Sequence, residues 1–154
     1  MKTYEHLTEL EAMVGKELGV SDWIVVDQPR IQMFADATLD HQWIHLDVER
    51  AKAGPYKTTI AHGFLTLSLL SAMMYAAYQV SDLTAAVNYG LNKVRFPAPV
   101  PAGSRVRGTL KLMSYEHIPG GAQLVTEIVV EREGGDKPVC VAESVGRLYA
   151  DTKA

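Results

Sequence analysis

A chain of 154 residues lies in the size range of one domain and can bury a core without disulfides or a structural metal. Hydrophobic residues at 47% and charged residues at 21% exclude a disordered chain, and a net charge of -3 offers no basic excess for gripping a nucleic-acid backbone. Cys140 is the only cysteine, which excludes an internal disulfide and fits a reducing compartment, so the cytoplasm is the expected location. Met1-Lys2-Thr3-Tyr4-Glu5-His6-Leu7 lacks the basic-then-apolar order of a secretory signal. The strongest apolar stretch, Phe64 to Ala77, is too short and too often interrupted by Thr66, Ser68, Ser71 and Tyr75 to cross a bilayer. One domain over 1–154 is expected, with no membrane or nucleic-acid partner.

Leu7, Leu10, Met13, Val14 and Leu18 recur at near-helical spacing, which predicts an amphipathic helix over 5–19 ended by Gly19. Trp23-Ile24-Val25-Val26 is a short strand by composition. Asp27 then reads as an N-cap, with Pro29 in the first turn and Ile31, Phe34, Ala35 and Thr38 on one face of a helix that delivers Asp40 at its exit. No period persists from Leu39 to Thr59, so a loop is expected there, with one helical turn over 47–53. An unstructured stretch of that length in a compact domain is usually functional.

The segment from Gly63 to Tyr78 is apolar nearly all round, the pattern of a helix enclosed by other structure. Beyond it, 85–96, 104–116, 122–133 and 137–150 are rich in Val, Leu, Ile, Thr and Tyr and are separated by turn residues such as Pro119-Gly120-Gly121 and Gly134-Gly135-Asp136. Four successive antiparallel strands are expected, with Pro97 to Gly103 as a tight connection between two of them. The fold class is therefore α+β, a sheet curled around the apolar helix.

Asp40 and His45, five residues apart, are a carboxylate and an imidazole that can converge on one water. A glycine at a buried helix start, Gly63 in Ala61-His62-Gly63, leaves a backbone N–H free to meet developing negative charge. Each residue also has a plain structural reading: Asp40 as a helix-ending residue, His45 as an ordinary loop histidine, Gly63 as a tolerated N-cap. His41, His62 and Asp47 extend the set toward metal ligands, but no His-x-x-x-His pair lies in a predicted helix, and no metal is expected. Met73, Met74 and Tyr78 read as core, and Trp43 as a shield over the site or packing under its loop. Cys140, in a strand without a basic neighbour, reads as structural.

Asp40-x-x-x-x-His45, Ala61-His62-Gly63 ahead of an apolar helix, and Arg95-Phe96-x-x-Pro99-Val100 feeding long strands together resemble the MaoC-like, or (R)-specific enoyl-CoA hydratase, family of the hot dog fold. The resemblance covers roughly residues 20–150. It implies syn addition of water to a trans-2-enoyl-CoA to give an (R)-3-hydroxyacyl-CoA. Asp40 and His45 would hold the water, and the Gly63 N–H would bind the thioester oxygen. No cofactor is implied, coenzyme A being part of the substrate. His62 and Ser68 are candidates for lining the substrate site, and Lys93 and Arg95 for meeting the CoA phosphates. The family pairs two domains into one continuous sheet, so a homodimer is expected. Dehydration of a 3-hydroxyacyl group on acyl carrier protein, hot dog thioester hydrolysis and non-catalytic thioester binding stand as alternatives. The commoner family pattern is Gly-Asp-x-Asn-Pro-aliphatic-His; here Leu39 precedes the aspartate and Gln42-Trp43 replaces Asn-Pro, a form similar to the nodulation-protein-N-like branch.

Overall fold

The computed structural model describes residues 1–151. The last three residues of the domain expected over 1–154 lie outside them. Four long strands follow the central helix as expected: β5 (Leu83–Arg95), β6 (Ser104–Ile118), β7 (Gly121–Arg132) and β8 (Cys140–Ala150). They form an antiparallel sheet in the order β2-β6-β7-β8-β5, where β2 is Glu17–Val20, and the short β3 (Ile24–Val26) also pairs with β6. β5 pairs with β8 and not with β6, so 97–103 crosses between strands set apart by β7 and β8 instead of forming the tight connection expected. A separate parallel ribbon joins β1 (Lys2–Tyr4) to β4 (Tyr78–Val80). Strict alternation along β7 buries Ala122, Leu124, Thr126, Ile128 and Val130 on one face. That face curls around the helix, which gives the hot dog architecture.

The central helix is α4 (Gly63–Ser68) followed without a gap by α5 (Leu70–Ala77). At Leu69 the N–H is shared between the carbonyls of Leu65 and Thr66, at 3.1 and 3.2 Å, so the axis is disturbed but the chain stays helical. The helix stops at Ala77 because Tyr78 turns extended and opens β4. Leu65, Leu70, Met73 and Ala77 bury one face against the sheet, while Phe64 and Tyr75 are 67% and 69% exposed. The enclosure expected from an apolar helix is therefore incomplete, and one stripe of it is left uncovered by this chain.

The amphipathic helix expected over 5–19 does not form. Leu7–Met13 is a 3₁₀ helix that buries Leu7 and Leu10, and the chain reverses at Gly15, whose N–H donates to the Leu112 carbonyl at 2.7 Å. Leu18 is buried from a strand instead. Gly19 lies inside β2, where an added Cβ would stand 2.7 Å from the Ala77 carbonyl oxygen, so glycine lets the strand touch the end of α5. In the middle of the chain α1 (Gln28–Thr38) begins as expected, with the Asp27 carboxylate accepting from Arg30 N–H. The loop after it holds the expected turn as α3 (Val48–Lys52), together with an unforeseen one, α2 (Trp43–Leu46). No helix among the described residues is long and apolar enough to cross a membrane.

Candidate active site

Asp40 and His45 are brought together by a bend that a side-chain reading does not anticipate. Leu39 ends α1 in the left-handed region, at φ 63° and ψ 21°, and this turns the chain so that Asp40 faces back toward α2. Leucine is costly there, and the glycine of the commoner family pattern occupies the position without strain. Asp40 then accepts from the Gln42 N–H at 3.3 Å and keeps its carboxylate open to solvent.

His45 is buried in α2 and fixed from both sides. Its Nδ1 lies 2.7 Å from the Ile60 carbonyl oxygen, which can only accept, so Nδ1 carries the proton and Nε2 presents a lone pair. The His45 backbone carbonyl accepts from Gln28 Nε2 at 2.7 Å, and Gln28 in turn accepts from Thr59 Oγ1 at 2.5 Å. Gln28 thus ties the first turn of α1 to both segments that frame the imidazole. Burial holds the His45 pKa below the ordinary histidine value; the bond to Ile60 opposes this, nearby His62 adds to the lowering, and Asp40 opposes it. The result is an imidazole kept neutral, with its Nε2 lone pair free to accept a proton.

His62 is the residue that joins the two. Its ring stacks on His45 at 3.7 Å between centroids and 23° between planes, and its Nε2 donates to the Asp40 backbone carbonyl at 3.0 Å. Asp40, His45 and His62 place donor atoms within 4.8 Å of one another, a spacing that also suits a cation. The stacking argues otherwise. Imidazole lone pairs lie in the ring plane, and two nearly parallel rings offset by 3.7 Å cannot both aim at one ion about 2 Å from each.

Gly63 opens α4, where the N–H has no intrahelical acceptor. An added Cβ would stand 2.9 Å from the Phe96 ring, so glycine here lets the ring close against the helix start. His45, Gly63, Thr66 and Phe96 line one cavity of about 350 Å³, bounded by Ile60 and Val100.

The other candidates fall elsewhere. Ser68 donates to the Phe64 carbonyl at 2.6 Å and is exposed on a side of the helix away from His45. Thr66, three residues beyond Gly63 and almost fully buried, lines the cavity beside His45, while Ser68 lines a separate groove along the helix. Lys93 and Arg95 are exposed on β5 and are not among the residues lining the His45 cavity; Arg95 donates to the Val94 carbonyl. His41 pairs with Asp36 at 3.0 Å on the surface, and that bond holds the Asp36 carboxyl below its usual range. Trp43 packs over Gly54 beneath the Arg50 guanidinium. Burial pushes the Cys140 thiol up to about 11, which removes it from nucleophilic chemistry. Gln28, Thr66 and Phe96 escaped sequence reasoning as site residues: a glutamine one position after an N-cap has no motif, and a threonine on an apolar helix reads as packing.

Comparison with known proteins places the chain in a family. The family model described as "MaoC like domain" matches residues 9–142. A protein of Mycobacterium tuberculosis named 3-hydroxyacyl-thioester dehydratase Z is 53% identical over 151 residues, 97% of this chain and 100% of that one. Nodulation protein N of Rhizobium leguminosarum bv. viciae is 49% identical over 149 residues, 94% of this chain and 92% of the relative. Among solved structures, a monoamine oxidase regulatory protein from Archaeoglobus superposes with a TM-score of 0.76 at 22% identity, covering 98% of this chain and 97% of that one. An unliganded (R)-hydratase from Pseudomonas aeruginosa does so with a TM-score of 0.73 at 24% identity, covering 90% and 83%. These two likenesses bear on the fold alone. With a family model spanning most of its length and a relative identical at more than half of the aligned positions, the chain belongs to the MaoC-like family.

Proposed function

We propose that this protein is an (R)-specific enoyl-CoA hydratase, adding water syn across a trans-2-enoyl-CoA to give an (R)-3-hydroxyacyl-CoA, and running the reverse dehydration at the same site. The observation that carries the reading is the locked His45: Nδ1 is committed to the Ile60 carbonyl, so Nε2 is available as a base beside the Asp40 carboxylate. His45 takes a proton from the water as its oxygen bonds to C3. Asp40 orients that water and relays the proton taken up by His45 to C2 on the same face, so both groups end in the protonation states in which they began. The Gly63 N–H binds the thioester oxygen as it gains enolate character, a donor worth about 10²–10³ in rate in comparable sites. His62 acts through its neighbours as a positioning residue, fixing the Asp40 backbone and the plane of His45. The proposed chemistry needs neither metal nor cofactor, since the substrate brings its own coenzyme A. The name of the mycobacterial relative favours the dehydration direction for that protein, and a carrier-protein thioester presents the same reacting atoms.

We place a second copy of the chain against β5. That strand ends the sheet with its outer edge unpaired, and Val87, Tyr89 and Leu91 are 48%, 58% and 45% exposed along it. A long apolar edge of this kind is a template for pairing another chain. A homodimer is expected in sedimentation, and the double substitution Val87→Glu with Leu91→Glu should yield a monomer; a wild-type monomer at working concentration defeats that part of the proposal. The lone buried Cys140 suits a reducing compartment, and the reaction is assigned to the cytoplasm.

The test follows loss of enoyl-thioester absorbance with crotonyl-CoA and with a longer trans-2-enoyl-CoA, in wild type, Asp40→Asn and His45→Gln. Loss in wild type that both substitutions abolish is the expected result. Release of free thiol without alkene consumption turns the assignment to thioester hydrolysis, and tight binding with no turnover turns it to a binding protein.

A further inference from the structure

The inner face of the sheet is apolar except at one place. Thr126 of β7 and Ser144 of β8 are direct cross-strand partners, 4% and 8% exposed, among Leu124, Ile128, Ala142 and Leu148. No group among the described residues hydrogen-bonds either hydroxyl. Both open into a cavity of about 410 Å³ between α5 and the sheet. Asn88 of β5, the strand next to β8, donates from Nδ2 to Ser71 Oγ on the facing α5 at 3.3 Å, and these two residues line the same cavity. The two hydroxyls are open to the cavity and not sealed in the core, so together with Asn88 and Ser71 they give an otherwise apolar wall a cluster of groups able to hydrogen-bond whatever fills it.

The cavity lies in line with the catalytic centre. Eight residues of nearly continuous helix separate Gly63 from Ser71, roughly 12 Å at about 1.5 Å per residue. A neighbouring groove, lined by Leu67, Ser68 and Leu70, shares Ser71, Met74, Asn88 and Ser144 with the cavity and extends it back toward α4. An acyl chain that runs from a thioester at Gly63 along the helix would reach the hydroxyl pair at about this distance. No charged side chain lines the cavity, which disfavours a carboxylate or an ammonium there.

We propose, resting on the enoyl-thioester reading above, that the acyl chain taken by this protein carries a neutral hydrogen-bonding group, a hydroxyl or a ketone, remote from the thioester, and that Thr126, Ser144, Asn88 and Ser71 receive it. The hydroxyls of Thr126 and Ser144 both donate and accept, so either group is served. A plain alkyl chain of the same length leaves them unpaired and is the poorer substrate.

The experiment compares kcat/KM for trans-2-enoyl-CoAs of increasing length, each as the plain alkyl chain and with a terminal hydroxyl, with crotonyl-CoA as the reference. The expected result is a preference of about tenfold or more for the hydroxylated member at one chain length, the worth of one hydrogen bond in a closed site. Thr126→Val and Ser144→Ala should reduce or reverse that ratio within each variant. A wild type that turns over crotonyl-CoA but favours the alkyl chain at every length overturns the inference and leaves the hydratase reading standing. An unchanged ratio in variants that still turn over the alkyl substrate also overturns it. If wild type consumes no enoyl thioester at all, the hydratase reading fails and this inference goes with it.

Discussion

Replacing Leu39 tests whether the turn that delivers Asp40 is strained. The left-handed conformation costs an L-residue roughly 1–2 kcal/mol, and Leu39 adopts it at φ 63°. Glycine removes that term but loses about 0.5–1 kcal/mol of chain entropy on folding. The side chain is 81% exposed, so the burial forfeited is only a few tenths of a kcal/mol. Leu39→Gly should therefore be neutral or stabilising by up to about 1 kcal/mol, while Leu39→Val, β-branched in the same conformation, should be destabilising by roughly 1 kcal/mol or more. Urea unfolding gives the order directly, with the slope held constant across the three proteins. Because the turn sets Asp40, kcat should survive in the glycine variant and fall in the valine variant. Equal stability of Leu39→Val and wild type, or a clear loss in Leu39→Gly with its activity, would refute the assignment of strain to this residue.

Other outcomes follow from the same geometry. Gly63→Ala sets a methyl 2.9 Å from the Phe96 ring, displaces the helix start, and should lower kcat by about 10²-fold while circular dichroism stays unchanged. The acid limb of the kcat/KM profile should lie below pH 6.5, because burial lowers the His45 pKa from that value and the base must be neutral. The linked stability has the same sign. Unfolded His45 binds a proton that the folded residue refuses, so stability should be fully present above about pH 6.5, erode as the pH falls below it, and show a weaker dependence in His45→Gln. His62→Phe keeps a ring against His45 but loses the bond to the Asp40 carbonyl, and should reduce kcat by about tenfold or more with KM little changed. His62→Asn, which retains a donor, should recover part of the loss.

The four long strands were readable because alternation over a dozen residues admits few alternatives, and the turns at 119–121 and 134–136 divide three of them into hairpins. Their order was not, because β5 pairs with β8 rather than with β6, its successor in the chain. The start of α1 was equally plain from Asp27 and Pro29. The N-terminal segment misled because Leu7, Leu10 and Leu18 are all buried, so a correct list of core residues satisfied a helical period that the chain does not follow. What decides the matter is the Gly15 bond to the Leu112 carbonyl, a contact across 97 residues that no local pattern carries. The central helix misled in the opposite way. Its sequence is apolar nearly all round, yet Phe64 and Tyr75 stand exposed, so the pattern of an enclosed helix does not tell which stripe this chain covers.

The site shows where residue identity stops carrying information. Asp40, His45 and Gly63 could be named because their chemistry belongs to their side chain or to the lack of one. The groups that make them competent are backbone atoms: the Ile60 carbonyl that fixes the His45 tautomer and the Asp40 carbonyl held by His62. Any residue supplies a carbonyl, so Ile60 has no signature beyond its apolar side chain. Ser68 and Thr66 part company because angle around a helix matters more than distance along it: five residues from Gly63 is about 140° away at roughly 100° per residue, which puts Ser68 on the neighbouring groove, whereas Thr66, three residues on, is only about 60° off and lines the His45 cavity. A helical-wheel projection from Gly63 would have chosen Thr66, and the same projection carries the cavity-lining face on through Leu70 toward Met74 and the polar cavity beyond.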